Sequence, residues 1–475
     1  MQVTRSTLAL ESGVDVQVGE VGQVYTELGS LLDMMLRSDA VNRAKFILVS
    51  LIFVTIAGAQ DLPPGVLLLS HVKNHIKDEL ERLSTVSCIE TIHREMQPAN
   101  GKMKPLDTVR LEVLTNGDKE LFASPGDRKF SENHPLSYAG SGMLSNGLFG
   151  LYLKDILASE IATIVFRGEA TVGARHLVRY DYRIPILFSA QRIQIPEGSG
   201  RVGLHGSFWV DPLTYDVVRL ELAADDFPPT LPVAEMTTRI DYAPTHLASE
   251  LMVLLPYAAD SHLVKESGEI SHNQIEFTHC RVFGAESTVL FRPLASVEQT
   301  PSFATASVDD TLRTLPAGLT VALKLRSRIS GDMAVGALIE GLVVSDVSAK
   351  RAVVIPAGSP ARGRIRRMER YTDPFSYFIV GLEFTEVEVQ GIRYMFYADL
   401  IDLDRAPGVE LILSTKNTTT TQTDPLLFGG VSALQRIESV SLYHLPGVAM
   451  FFYKGDRLEL PQDFRTVWKT KLLRP

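Results

Sequence analysis

Short runs in which apolar and polar residues alternate occur along the chain from residue 86 onwards, and this period of two is typical of β-strands with one buried face. The clearest pair lies within Phe208–Leu222, where Asp211-Pro212 supplies a turn between two alternating runs. This segment therefore predicts a β-hairpin. The strand-like runs before residue 293 are Ser87–Arg94, Val109–Leu114, Ile161–Arg167, Ala174–Tyr182, Arg201–Val210, Val217–Leu222, Thr237–Tyr242, Glu250–Leu255, Gln274–Val282 and Ser287–Arg292.

Two segments have a helical pattern instead. Apolar residues recur every three or four positions in Gly65–Leu83, at Leu69, Val72, Ile76, Leu80 and Leu83, which predicts an amphipathic helix. A second helix is predicted near Phe149–Ser159, directly after a stretch rich in glycine and serine at Gly140–Gly150.

The composition changes at Pro293–Asp310, where Ser, Thr, Ala, Gln and Pro dominate, and this change predicts a linker. Beyond it, Leu315–Leu400 is again rich in strand-like runs, and Pro-Ala-Gly occurs at 316–318 and 356–358 ahead of two of them. We therefore predict a mainly β (α+β) protein with one domain at 60–292, a linker at 293–310 and a smaller all-β domain at 311–475. A loop insertion is expected near 404–440.

The segment Val41–Asp61 has the pattern of an export signal. Arg43 and Lys45 precede 13 apolar residues, Phe46–Gly58, which are fewer than the ~20 that a membrane-spanning helix needs. Small residues at Ala57 and Ala59 predict cleavage before Gln60, so residues 34–59 are predicted to be a signal peptide. An uncleaved inner-membrane anchor at 46–58 and a buried core helix are the alternatives.

The signal begins late in the chain, and Met1–Asp33 is acidic and mixed in pattern. Met34 or Met35 is therefore the expected start, with Met1–Asp33 outside the translated protein. The alternative is a genuine but disordered extension.

Export changes what the two cysteines imply. The chain of 475 residues contains Cys88 and Cys280 alone, each inside a strand-like run. A cytosolic protein would hold them as buried free thiols, but an oxidising compartment lets a pair persist as a disulfide. We predict the Cys88–Cys280 bond and an exported, periplasmic or envelope-associated protein.

Charge and motifs exclude several functions. The net charge of −9 argues against a nucleic-acid binder. His71 and His75 are four residues apart on the first predicted helix, but the glutamate of a zincin motif is missing and no third ligand is evident. We therefore predict no metal, no cofactor, no catalytic residue and no enzyme. A hydrolase, the remaining alternative, would need a Ser-His-Asp or metal cluster to converge in space.

Two segments are candidate binding elements. Gly140, Ser141, Gly142 and Gly147 form a glycine-rich loop that fits no phosphate or nucleophile motif, and we expect a flexible loop that could close over a ligand as a lid. Arg362, Arg364 and Arg366 alternate, so that they share one face of a strand. They are predicted either to form a solvated face or to contact an anionic envelope surface.

The order of elements in Gly65–Arg292, a helix followed by a long antiparallel sheet with Phe208-Trp-Val-Asp-Pro-Leu-Thr214, resembles the LolA/RseB-like lipoprotein-carrier superfamily. That resemblance implies a curved half-barrel sheet around packed helices, with an apolar groove for acyl chains or peptides. The run Leu83–Ile92 also resembles exported proteins common in Acidobacteria, which carry a paired cysteine matching Cys280.

The second part resembles the C-terminal β-barrel module of outer-membrane-complex subunits in conjugation and type IV secretion. The matching residues are Leu315–Gly318, Gly336 and Val353–Gly363. Two functions follow as hypotheses. The protein is a non-enzymatic envelope binder of a lipid, acyl chain or hydrophobic peptide, or else a structural protein that docks onto an envelope complex through its C-terminal β domain.

Overall fold

The computed structural model describes residues 63–127, 129–132, 138, 142–195, 197–248, 251–283, 313–350, 352–373, 375–413 and 448–472. The predicted signal peptide, with Ala57, Ala59 and Gln60, lies outside the described residues, and so do Met1–Asp33 and the predicted linker at 293–310. These three predictions stay predictions.

The first sheet has ten antiparallel strands and is curled into a half-barrel, as predicted. A separate two-stranded ribbon pairs β6 (Arg192–Ile195) with β7 (Gly198–Arg201). The strands of the sheet are β1 Val86–Gln97, β2 Lys104–Asn116, β3 Lys119–Ala123, β4 Thr163–Val172, β5 Arg175–Ile184, β8 Gly203–Val210, β9 Val217–Asp225, β10 Val233–Ala248, β11 Leu251–Lys265 and β12 Ile270–Val282. Their order is β3-β2-β1-β12-β11-β10-β9-β8-β5-β4.

The predicted hairpin is the β8–β9 pair. The Asp211 carboxylate accepts a hydrogen bond from the Leu213 backbone N–H at 2.9 Å, which is the local turn that an aspartate favours. Tyr215 has a positive φ of 65° and closes the turn with an N–H donated to the Asp211 carbonyl. The hairpin tip thus exposes Leu213, whereas Tyr215 is partly buried.

Two helical segments pack on the inner face of this sheet. Helix α1 (Pro64–Leu83) starts with a proline, whose missing N–H costs nothing in a first turn, and buries Val72, Ile76 and Leu83. Helix α2 (Leu151–Leu153) continues into a single π-helical turn, Lys154–Ala158. The predicted helices thus exist, with α1 one residue longer at its start than predicted.

The second sheet also has ten strands, all antiparallel except for the β13–β21 pair. Its strands are β13 Arg313–Thr314, β14 Thr320–Leu325, β16 Leu338–Val343, β19 Pro360–Tyr371, β20 Tyr377–Val389, β21 Ile392–Met395, β22 Ala398–Leu403, β23 Val409–Leu413, β24 Ala449–Lys454 and β26 Arg465–Thr470. Two small ribbons pair β15 (Ile329–Ser330) with β25 (Glu459–Leu460), and β17 (Val347–Ala349) with β18 (Ala352–Ile355).

Both Pro-Ala-Gly segments are turns that precede strands of this sheet. Gly318 and Gly358 have φ values of +86° and +81°, a conformation that favours glycine. A loop insertion is predicted near 404–440. The described part of this range contains strand β23 (Val409–Leu413), which pairs with β24. Residues 414–447 lie outside the described residues.

The two sheets contact each other through backbone as well as side chains. Arg110 N–H donates to the Val335 carbonyl at 2.9 Å, and Val335 N–H donates to the Thr108 carbonyl at 2.8 Å. Gly336 follows with a φ of +93°, and a Cβ there would lie 2.5 Å from the Arg110 carbonyl oxygen. Gly65–Pro475 is one compact unit. The predicted fold class is confirmed, while the domain boundaries stay a prediction.

Candidate functional site

Helix α1 crosses one end of the first sheet and is fixed there by polar contacts. The Tyr180 hydroxyl donates to the Gly65 carbonyl at 2.6 Å, and the buried Glu79 carboxylate accepts the Leu254 N–H at 2.7 Å. Between these contacts, His75 Nε2 lies 2.7 Å from Asp216 Oδ1 in the β8–β9 hairpin. The helix is therefore attached to β5, to the hairpin tip and to β11.

The His75–Asp216 contact is electrostatically tuned. The hydrogen bond to Asp216 raises the pKa of His75 above its ordinary value, although partial burial opposes the shift. Burial acts to raise the pKa of Asp216, but the hydrogen bonds with His75 and Thr214, together with the charges of His75 and Arg175, outweigh it and lower that pKa. His71, one turn earlier, stacks on Tyr215 with ring centroids 5.2 Å apart. His71 and His75, which the sequence placed four residues apart on this helix, thus both contact the β8–β9 hairpin.

A cleft of about 550 Å³ opens beside this hairpin. Its apolar lining includes Leu213, whose side chain is 88% exposed at the hairpin tip, and the buried Leu254 of β11. Arg175 and His176, both exposed at the β4–β5 turn, contribute a basic rim. The remaining lining residues are Asp211, Pro212, Thr214, Asp216, Val217, Val218, Tyr242 and Pro244. The volume lies within the range of small-molecule pockets, about 300–1,000 Å³.

Tyr242 is the most buried polar group of the cleft lining. Its side chain is 2% exposed, and its hydroxyl has no hydrogen-bond partner among the described residues. Burial raises the pKa of Tyr242 well above its ordinary value, and the charges of Glu120 and Asp241 add to the shift. A buried phenol remains a neutral hydrogen-bond donor, and an unpaired one is costly unless something binds to it.

Most of the inner face is filled by side chains and is not an open groove along its whole length. α1 and the segment Met143–Leu157 supply this filling, and their apolar residues pack into the same core as those of the sheet. The groove expected from the superfamily resemblance is therefore restricted, among the described residues, to the cleft at the hairpin end.

The predicted lid loop is only partly described. Gly140 and Ser141 lie outside the described residues, whereas Gly142 has a φ of +75° and lies against Arg94. Gly147 donates its N–H to the buried Glu120 carboxylate at 2.6 Å. The same carboxylate accepts N–H bonds from Phe149 and Gly150 at 2.9 and 3.0 Å, so it anchors the described end of the loop. A mobile lid stays a prediction, and the described part is packed.

The predicted disulfide is present. Cys88 in β1 bonds Cys280 in β12, and the two strands are antiparallel neighbours. The register shifts at this point, and His279 beside it has a positive φ of 50°. The bond therefore sits in a β-bulge, where two residues of β12 oppose one residue of β1. Such a bond fits an oxidising compartment.

The three predicted arginines of β19 have partners inside the protein. Arg364 is buried and donates to Asp127 at 2.6 Å and to the Gly336 carbonyl at 2.9 Å. Arg366 and Arg362 donate to carboxylates of β20, Glu383 at 2.5 Å and Glu388 at 3.2 Å. All three guanidinium groups therefore pair with groups of the protein, and both the solvated face and the contact with an anionic surface stay predictions.

A buried ionic network between the two sheets was not predicted. Arg94 donates two hydrogen bonds to Asp107, at 2.6 and 2.5 Å, and lies 3.9 Å from Glu369. Glu369 also accepts hydrogen bonds from Arg367 at 2.6 Å and from the Tyr371 hydroxyl at 2.8 Å. No local sequence pattern distinguishes these residues, because the network forms between strands far apart in the chain.

No helix of the described part of the chain is long and apolar enough to cross a membrane.

Comparisons with known proteins give weak similarities only. No protein-family model and no curated protein matches the chain. A LolA superfamily protein from Nitrosomonas europaea is 9% identical, with 46% of this chain and 97% of that chain covered and a TM-score of 0.24. A DUF1329 family protein from Desulfovibrio piger is 11% identical, with 48% and 96% covered and a TM-score of 0.25.

A subunit of a secretion system is a third structural neighbour. ComB10 of the Com type IV secretion system of Helicobacter pylori is 19% identical, with 34% of this chain and 88% of that chain covered and a TM-score of 0.18. All three TM-scores are far below 0.5, so no argument about function rests on these similarities.

Proposed function

We propose that the chain is a non-enzymatic binding protein of the cell envelope that holds an apolar ligand, a lipid, acyl chain or hydrophobic peptide, in the cleft at the hairpin end of the first sheet. The cleft itself is the observation that supports this function. It is open to solvent, large enough for a small ligand, and lined by apolar side chains on the three strands β9, β10 and β11 and on the hairpin tip.

The lining of the cleft also indicates that such a ligand has a charged headgroup besides its apolar part. Leu213 exposes nearly its whole side chain to water, so covering it with an acyl chain gains hydrophobic free energy. Arg175 lies at the rim, across the cleft lining from Asp211 and Asp216, and a carboxylate or phosphate headgroup would find a positive partner in its guanidinium group. An amphipathic molecule with an anionic head therefore fits better than a purely apolar one.

The test uses protein purified from the periplasm without detergent. Native mass spectrometry followed by organic extraction should show a co-purified lipid or peptide, and the delipidated protein should bind the fluorescent probe cis-parinaric acid. A protein without any co-purified ligand and without saturable binding of the probe contradicts the proposal.

Leu213→Asp locates the ligand in the cleft. It should weaken binding of the probe by about tenfold or more, because it places a charge where the acyl chain lies. Leu187→Asp is the matched control, since Leu187 is also an exposed loop leucine, at 81%, and does not line the cleft. Equal effects of the two variants would place the ligand elsewhere.

Docking onto an envelope complex through the C-terminal β domain has less support. Arg364, Arg366 and Arg362, the candidate contact residues of that domain, pair with Asp127, Glu383 and Glu388. Charge reversal of these arginines would therefore disturb the fold itself, and it does not serve as a clean test of docking.

A further inference from the structure

A cluster of histidines and carboxylates lies on the outer face of the first sheet, opposite the side on which α1 packs. Asp260 and His262 are two residues apart in β11, so both side chains leave the sheet on the same face. His272 of β12 is the direct register partner of His262, and Glu95 of β1 is the register partner of His272. Three neighbouring strands thus place four polar side chains in one group.

The distances within this group suit a metal ion. His262 Nε2 lies 3.0 Å from Asp260 Oδ1, and His272 Nε2 lies 3.1 Å from Asp260 Oδ2. One ligand atom from each of the three residues lies within 4.8 Å of the others. A tetrahedral zinc ion bound at about 2.0–2.2 Å needs ligand atoms roughly 3.3 Å apart. The three groups therefore need little rearrangement to bind one ion.

Glu95 supplies the second feature of a built metal site. Its carboxylate Oε2 lies 3.0 Å from His272 Nδ1, on the other side of the ring from Asp260. A carboxylate that accepts the Nδ1 proton leaves the Nε2 lone pair free for a metal and fixes the orientation of the ring. His262 and His272 also stack on each other, with ring centroids 4.1 Å apart and an interplanar angle of 13°.

The arginine on the strand next to Asp260 pairs with a different carboxylate. Arg239 of β10 is the register partner of Asp260, but its guanidinium group pairs with Asp241 at 3.6 Å. The cluster is also accessible, because the side chains of Asp260 and His262 are 28% and 44% exposed. An ion can therefore enter from solvent.

We propose that Asp260, His262 and His272 bind a divalent transition-metal ion of the Zn²⁺ class, with Glu95 as the residue that positions His272. Two imidazoles and one carboxylate favour Zn²⁺, Ni²⁺ or Cu²⁺ over Ca²⁺ or Mg²⁺, which prefer oxygen ligands alone. Three protein ligands leave one coordination position for water or for a group from a partner. The ion would cross-link β11 to β12, independently of the cleft.

The test is a titration of the full-length, tag-free protein with ZnCl₂ after treatment with EDTA, followed by calorimetry. One ion per chain with micromolar or tighter affinity is expected, and Co²⁺ in its place should give the visible absorption of a tetrahedral site. Absence of stoichiometric binding overturns the proposal.

Variants assign the ligands. The His262→Ala/His272→Ala double variant should lose the site, and Glu95→Gln should weaken it by about 10- to 100-fold without changing the stoichiometry. His93→Ala is the control, because His93 is an exposed histidine of β1 that contacts Thr108. Retention of the site in the double variant contradicts the assignment.

Circular dichroism of each variant without metal separates loss of a ligand from loss of the fold. As a second readout, Zn²⁺ should raise the melting temperature of the wild type and of His93→Ala, but not that of a folded double variant. A rise of equal size in the double variant also overturns the proposal.

Discussion

Glu90 shows how one buried carboxyl group makes the stability of the first sheet depend on pH. Burial raises the pKa of Glu90 well above 4.5, and the nearby Glu120 charge adds to this effect. The folded protein therefore keeps this proton to a higher pH than the unfolded chain does. The stability of the wild type should fall as pH rises from about 4.5 through the folded pKa, by up to about 1.4 kcal/mol per pH unit.

Glu90→Gln should remove this dependence, because glutamine keeps the shape of the protonated glutamate and cannot ionise. The variant should be more stable than the wild type above neutral pH, with a flatter profile of the urea midpoint against pH. Glu276→Gln, at an exposed position of β12, is the control and should follow the wild type. Parallel profiles for all three proteins would show that Glu90 is not held neutral by the fold.

Sequence patterns identify only some of the individual residues that matter in the structure. Cys88 and Cys280 could be paired in advance because only two cysteines exist and because a segment with the pattern of an export signal precedes them. Tyr242, Glu90 and Glu120 could not be singled out, because each lies in an ordinary strand pattern. Their importance comes from burial beside residues that are distant in sequence.

At the scale of elements, the contact between α1 and the β8–β9 hairpin should depend on pH. The pKa of His75 is raised, so its stabilising contribution is complete below about 6.5 and is lost as pH rises through the folded value. The pKa of Asp216 is lowered, so its contribution is present above about 3.8 and is lost as pH falls through the folded value. The contact is therefore strongest between these two limits.

His75→Gln should reduce the free energy of unfolding by about 1 kcal/mol near pH 5.5, and by less near pH 8.5. Urea denaturation at the two pH values measures the difference. His93→Gln is the control for a general loss of imidazole charge. An effect of His75→Gln that is the same at both pH values would contradict an ionic contact with Asp216.

The disulfide joins two paired strands and should stabilise them as a unit. Because the two cysteines are 192 positions apart in the sequence, losing the bond should cost about 2–5 kcal/mol by the chain-entropy model. Thermal melts with and without a phosphine reductant measure this cost in the wild type. The Cys88→Ala/Cys280→Ser variant should match the reduced wild type and be insensitive to the reductant.

The elements themselves were well predicted, since α1, the β8–β9 hairpin and most strands of the first sheet follow from local periodicity and turn residues. The ribbon β6–β7 was missed, because Gly198–Arg201 has no apolar alternation. An apolar groove was expected, but its place at the hairpin end was not predicted. That place depends on which strands lie beside the hairpin tip. Leu213, an apolar residue inside a turn, was the available signal.

At the scale of the whole molecule, the network around Arg94 should make the two sheets unfold together. Arg94→Met leaves the buried carboxylates of Asp107 and Glu369 without this partner and should cost about 3–5 kcal/mol. Arg192→Met, at an exposed position of β6, should cost little. The first change should weaken both the β1–β2 pairing, through Asp107, and the contact with the second sheet, through Glu369.

The two tryptophans give one probe for each sheet, because Trp209 lies in β8 and Trp468 in β26. Trp209→Phe and Trp468→Phe, each in turn, leave a single reporter for fluorescence during urea unfolding. The two transitions should coincide in the otherwise native protein and separate in the Arg94→Met background. Transitions that are already separate without Arg94→Met would show that the interface does not couple the sheets.

The disulfide between Cys88 and Cys280 also determines which part of the chain would carry a pulling force. The first sheet begins at Val86 and ends at Val282, and these residues are register partners. Tension applied to the two ends of the chain would pass from β1 to β12 through the sulfur atoms, without loading the 191 residues between them. Reduction would release roughly 650 Å of hidden chain length. The bond would therefore keep the cleft folded under a force that unfolds the rest of the chain.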